Sequence, residues 1–211
     1  MVTPFFIGIG CGTIDFTMPK ADWIANTLPT IFGKAGLWPW KNGEIISVLD
    51  VACGLSLKSK FIPAQIRVGV DIYDKYFDHI ESDVPYVVIK HDIRKLNEIF
   101  VPKSFDLVIA LDVIEHLEKQ ESLDMIAECE RIARKGVILE TPKGYVPQNL
   151  DIQGYGGHEY QTHRCGWEPD EIRKLGYKVF TRPYIMSDAK RHTDVDVGRE
   201  VELIEAIKFI T

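Results

Sequence analysis

The residues best suited to chemistry in this chain are carboxylates that close apolar runs. Asp50 ends "ISVLD", Asp71 ends "RVGVD", Asp92 follows "YVVIK" and Asp112 follows "LVIAL". One aspartate after a buried run is ordinarily a turn former or a helix cap. The set, in this order, fits a nucleoside-bearing ligand. After Asp50 the small residues Ala52 and Gly54 let backbone approach a ligand closely. Asp71 comes about 20 residues later, where a carboxylate can accept both hydroxyls of a ribose. Asp112, Glu115 and His116 then form a D-x-x-E-H cluster, whose carboxylates and imidazole could supply a base or hold a divalent ion. Further on, residues 143–167 carry His158, Tyr160 and His163, groups that bond hydrogen and accept protons near neutral pH. The plainer reading of that stretch is a solvated loop that caps the helix "EPDEIRKLG".

The elements that must position these residues follow from hydrophobic patterning. Residues 45–51, 66–72, 86–92, 105–112 and 136–142 are mostly continuous apolar runs, as strands buried on both faces require. Residues 122–136 between the last two read as an amphipathic crossover helix with basic residues in its final turn and Gly136 as its stop. A further helix is expected to start near Ser56. Strand and helix in alternation imply an α/β fold, a parallel sheet with right-handed crossovers and ligands at the carboxyl ends of the strands. A polar excursion over 186–200 precedes a last strand, 201–210.

With 211 residues, 45% of them hydrophobic, the chain can bury the core of one domain, 1–211. Its four cysteines are scattered with no CxxC pair, so neither a disulfide framework nor a cysteine-rich zinc site is suggested, and a reducing cytoplasm fits best. Cys53 reads as a small buried filler. No run reaches the roughly 20 apolar residues of a membrane span. The net charge of −6 argues against broad nucleic-acid binding. Residues 5–16, "FFIGIGCGTIDF", imitate the glycine loop of 48–59. They lack its acidic partner: Gly8 stands where Asp50 does, and no second strand ending in an acid follows at the right distance. We therefore assign 1–44 to an N-terminal segment or lid and not to cofactor binding. Trp23, Trp38 and Trp40 read as core or lid packing.

From Ile45 to Pro142 the motifs "VLDVACGLS", "VGVDI", "KHDI" and "ALDVIEHL" resemble the class I S-adenosylmethionine-dependent methyltransferases. That resemblance implies a Rossmann-like, doubly wound, mostly parallel seven-stranded sheet with helices on both faces, and S-adenosyl-L-methionine as cofactor. It places the methionine moiety on Asp50, Ala52 and Gly54, the ribose on Asp71 and the adenine on Ile72, Asp92 and Ile93. Leu111 and Asp112 would face the methionine and sulfonium. Ala52 and Ser56 stand at the outer two of the family's three glycine positions. The implied activity is methyl transfer to a small-molecule, glycan or lipid-linked acceptor met by loop 143–167, with His116, His158 and His163 as catalytic candidates. The D-x-x-E-H spacing also resembles the magnesium-binding E-x-x-E-H of small-RNA 3′-end and ubiquinone-pathway O-methyltransferases. Asp112 is one methylene shorter than the glutamate there, so no metal ligand is assigned. A magnesium-supported O-methyltransferase acting on RNA or a quinone precursor is the alternative, beside a noncatalytic cofactor-binding protein. An NAD-dependent oxidoreductase is disfavoured, because "DVACGLS" lacks G-x-G-x-x-G spacing.

Overall fold

The computed structural model describes Trp40 and residues 43–56, 58–59, 62–82, 84–151, 153–185 and 200–211. The readings of residues 5–16, Trp23 and Trp38, most of the 1–44 segment and nearly all of the 186–200 excursion lie outside these residues. Seven strands form one sheet: β1 (Ser47–Val51), β2 (Ile66–Asp71), β3 (Tyr86–Lys90), β4 (Phe105–Leu111), β5 (Ala133–Pro142), β6 (Lys178–Ile185) and β7 (Glu200–Phe209). Their order is β3-β2-β1-β4-β5-β7-β6. β1 to β5 run parallel, and β7 lies antiparallel between β5 and β6. This is the doubly wound, mostly parallel sheet expected from the sequence. The order reverses between β1 and β4, which opens a crevice at their carboxyl ends, where ligands of such sheets bind.

The described α-helices are α1 (Lys119–Ile132), α2 (His158–Gln161) and α3 (Pro169–Lys174). Met125, Ile126, Cys129 and Ile132 of α1 and Ile172 of α3 pack with Leu49, Val51, Val108, Ala110 and Leu139 on one face of the sheet. On the other face Val48, Leu107, Ile109, Ile138 and Ile207 pack with Ile62 and Trp40. Successive strand residues point to opposite faces, so burial of both faces demands an unbroken apolar run. Truncating a central residue such as Ile109 to Ala would cost roughly 2–5 kcal/mol.

Two helix expectations are corrected. No α-helix begins near Ser56 among the described residues. Ser56 instead has a left-handed φ of 55° and its hydroxyl turns back to Asp50. The crossover helix spans 119–132 and not 122–136. It starts early because Glu118 and Glu121 form a reciprocal capping box. It ends early because Ala133 already pairs with Phe105 in the sheet, and Arg134 and Lys135 reach the buried Asp106 from β5 at 3.4 and 3.5 Å. Gly136 is no helix stop. It lies inside β5, where a β-carbon would come within 2.8 Å of the Trp40 ring.

Candidate functional site

The first loop is built around two buried carboxylates. Asp50, 4% exposed in β1, accepts hydrogen bonds from the Ser56 hydroxyl at 3.1 Å and the Tyr86 phenol at 3.4 Å. Burial pushes its carboxyl up to about 6, against the opposing Ser59, Ser56 and Tyr86 hydroxyls. Tyr86 reaches Asp50 from β3 across Gly69, where a side chain would collide with the phenol oxygen at 2.5 Å. Asp71 closes β2. One of its oxygens accepts from Gly54 N–H at 2.9 Å and the other from Tyr73 N–H at 2.8 Å. Burial raises its pKa despite these amides. Each oxygen retains a lone pair for a ligand hydroxyl. Ala52 and Gly54 have φ of 56° and 47°, and a β-carbon built on Gly54 meets nothing within 4 Å. The loop therefore turns its backbone toward open space.

Beyond the second strand, Ile72 is half-buried. Asp92 accepts from Arg94 N–H at 3.0 Å, and the Arg94 guanidinium grips both of its oxygens and holds the carboxyl below its ordinary range. Ile93 is 8% exposed and sits with the core residues under α1. Half-buried Leu111 ends β4. Asp112 follows it in the left-handed region, φ 52°, with its amide bonded to Glu140 carbonyl at 2.9 Å. The Lys58 ammonium lies between the Asp112 and Glu140 carboxylates and ties the ends of β4 and β5 to the first loop. Burial pushes Glu140 up, and Lys58 opposes that shift. No sequence signal singled out Lys58. Glu140 and Thr141 could have been found as polar residues at the carboxyl end of an otherwise apolar strand.

A second group forms where the turn after β4 meets residues 163–167. Glu115, His116 and His163 each bring one oxygen or ring nitrogen within 4.8 Å of the other two. The two imidazole rings meet edge to face, their centroids 4.7 Å apart. Glu115, 2% exposed, accepts from the Thr141 hydroxyl at 2.7 Å. Burial raises its pKa, the Asp112 charge adds to this and His163 opposes it. Burial lowers the pKa of both histidines, which keeps the imidazoles neutral at pH 7. His116 Nδ1 lies 3.3 Å from Thr162 carbonyl and His163 Nδ1 lies 2.5 Å from Val146 carbonyl. A carbonyl only accepts, so each Nδ1 carries the proton and each Nε2 keeps its lone pair.

Backbone pairing brings these distant residues together. Arg164 and Cys165 both donate their amides to Glu115 carbonyl, at 2.7 and 3.2 Å. Trp167 Nε1 and the Ser122 hydroxyl donate to Ile114 carbonyl, at 3.3 and 2.7 Å. His158, a catalytic candidate from the sequence like the other two histidines, is not in the group. It is exposed at the start of α2, and its Nδ1 accepts from Asp151 N–H at 2.9 Å. Asp151 was not foreseen. Its buried carboxylate accepts from the amides of Gln153, Tyr155 and Gly157 and so shapes the loop.

The site can therefore hold a ribose-bearing ligand along the ends of β1, β2 and β4, with a proton-accepting or metal-ligating group beside it. Comparison with known proteins gives the family likeness of the chain. The family model of a methyltransferase domain matches residues 49–140. Ubiquinone biosynthesis O-methyltransferase of Rickettsia bellii, in two strains, is 26% identical over 162 residues, which cover 72% of this chain. The chain spans 62% of the length of those curated relatives. A SAM-dependent methyltransferase from Archaeoglobus fulgidus shares the fold with a TM-score of 0.52 at 18% identity, covering 81% of this chain and 89% of its own. Magnesium protoporphyrin IX methyltransferase from Synechocystis PCC 6803, solved with bound SAH, does so with a TM-score of 0.50 at 19% identity, covering 78% and 74%.

Proposed function

We propose that this chain, which belongs to the class I S-adenosylmethionine-dependent methyltransferases, transfers the methyl group to a hydroxyl oxygen of a small-molecule acceptor presented at Glu115, His116 and His163. The observation that carries this reading is the pair of imidazoles, each with Nδ1 facing a backbone carbonyl and Nε2 left to accept a proton. The bound cofactor supplies a methyl group already made electrophilic by its sulfonium. The protein's task is then to hold the acceptor in line and to take its proton. In this reading Asp71 receives the ribose hydroxyls, Ile72, Asp92 and Ile93 flank the adenine, and Asp50, Ala52, Gly54, Leu111 and Asp112 border the methionine. Loop 143–167 meets the acceptor. The curated relatives are O-methyltransferases by name, which supports an oxygen acceptor. Glycan and lipid-linked acceptors carry the same hydroxyl chemistry.

The test is methyl transfer to a panel of hydroxyl, amine and carbon acceptors. His116→Ala and His163→Ala should each reduce turnover by about 10²-fold or more, with S-adenosylhomocysteine affinity within about twofold. Transfer to nitrogen, undiminished in both variants, would overturn the reading.

One observation favours a second reading. A histidine whose far ring nitrogen is tied to a backbone carbonyl has the usual arrangement of a metal ligand. Glu115, His116 and His163 make a two-histidine, one-carboxylate donor set that fits a divalent cation, although the sequence alone led us to assign no metal. Those residues would hold the ion, which would act as a Lewis acid toward acceptor hydroxyls. Turnover lost to a chelator and restored by magnesium or manganese would establish it. Full turnover in chelator would leave the histidine base.

A further inference from the structure

The loop that carries the acceptor-side groups is hydrogen-bonded to the segment after β2 through Tyr73, and Tyr76 and His79 pack on its Tyr155 beside that bond. Tyr73 stands two residues past the end of β2, and its amide donates to Asp71 at 2.8 Å. Its phenol donates to Tyr155 carbonyl at 2.6 Å, on the far loop. Its ring lies 5.7 Å from that of Tyr160 and 5.1 Å from that of Tyr76, and Tyr76 in turn meets Tyr155 edge to face at 5.6 Å. Gly157 lies flat against Tyr73, since a β-carbon there would come within 3.1 Å of two ring carbons. The same loop is held internally by Asp151 and continues to His163, whose amide bonds Gln148 carbonyl at 2.9 Å. One backbone amide and one phenol thus connect the Asp71 carboxylate to the segment that brings His163 to Glu115.

We propose that Tyr73 is a positioning residue that couples occupancy of Asp71 by the cofactor to the order of loop 153–160, so that the acceptor side is fully built only on cofactor-loaded protein. The coupling rests on the reading of Asp71 as the ribose-binding carboxylate. Hydroxyls bound at Asp71 fix its carboxylate and the Tyr73 amide. The loop then loses less conformational freedom on docking, and cofactor favours acceptor binding without a large movement.

The experiment is amide hydrogen exchange resolved by NMR, with and without saturating S-adenosylhomocysteine, on wild type and Tyr73→Phe, with affinity measured by calorimetry. In wild type the ligand should slow exchange at Gln153, Tyr155 and Gly157 by about tenfold. In Tyr73→Phe that protection should fall below about twofold while affinity stays within about twofold of wild type. Gly157→Ala, whose β-carbon would crowd the Tyr73 ring at 3.1 Å, should reduce the protection in the same direction. A purely structural tyrosine would change exchange equally with and without ligand, and equal protection in wild type and variant overturns the coupling. A tenfold loss of affinity in Tyr73→Phe also overturns it, because Tyr73 would then be a cofactor ligand. If wild type itself does not bind S-adenosylhomocysteine, the Asp71 reading falls first and the coupling with it. Binding without loop protection removes the coupling alone.

Discussion

Asp50 and Asp71 are neighbouring carboxylates with different burdens. Asp71 is satisfied by two backbone amides and can still accept a diol, so Asp71→Ala should weaken S-adenosylhomocysteine binding by about 1–3 kcal/mol in calorimetry. Unchanged affinity would remove the ribose from Asp71. Asp50 is more deeply desolvated, and its carboxyl is pushed up to about 6 from 3.8. A carboxyl raised in the folded state contributes stability below its unfolded pKa, and that contribution is lost as pH rises through the folded value. Between about pH 4 and pH 6 this group should therefore become a cost of order 1–3 kcal/mol. Asp50→Asn should raise the melting temperature at pH 8 and have little effect at pH 4. An equal shift at both pH values would show that Asp50 ionisation is not what the fold tolerates. Ala52, Ser56 and Asp112 hold left-handed backbone at the same edge, with φ of 56°, 55° and 52°. Such conformations cost of order 1 kcal/mol for residues with a β-carbon and gather where function constrains the chain.

At the scale of elements, the group formed by Glu115, His116 and His163 depends on one packing event, the docking of residues 163–167 on the turn after β4. Trp167 is 1% exposed, donates to Ile114 carbonyl and has the Lys119 ammonium 3.5 Å above its ring. Gly166 makes this approach feasible: a β-carbon there would lie 2.5 Å from Tyr145 N and 2.6 Å from Gly144 C, both backbone atoms. Gly166→Ala must therefore displace the bridge between residues 143–144 and Trp167. It should destabilise the protein by about 1–3 kcal/mol in urea melts. It should also reduce turnover more than it reduces S-adenosylhomocysteine affinity, because the histidine pair opens while the ends of β1 and β2 stay in place. A variant as stable and as active as wild type would show that the segment yields easily.

For the molecule as a whole, S-adenosylhomocysteine should raise the melting temperature and NAD should not, since a ligand bound only to the folded state stabilises it by mass action. A shift with NAD alone would reassign the crevice. No helix among the described residues is long and apolar enough to cross a membrane, in line with the absence of such a run from the sequence. The sequence by itself determined the sheet and the carboxylates that line one edge of it. Strands buried on both faces must be continuously apolar, and the carboxylates that close them at Asp50, Asp71 and Asp112 sit at one edge whatever the packing around them. The start and end of α1 were less legible, because the capping box at Glu118 and the pull of Ala133 into β5 depend on how the strand is paired. The grouping of Glu115, His116 and His163 was decided only by tertiary structure. His116 and His163 lie far apart in the chain, and what joins them is a set of backbone bonds to Glu115 and Ile114 that leaves no periodic trace in side-chain types. His158, chemically identical to either, lies instead exposed at the start of α2, where its Nδ1 accepts from Asp151 N–H.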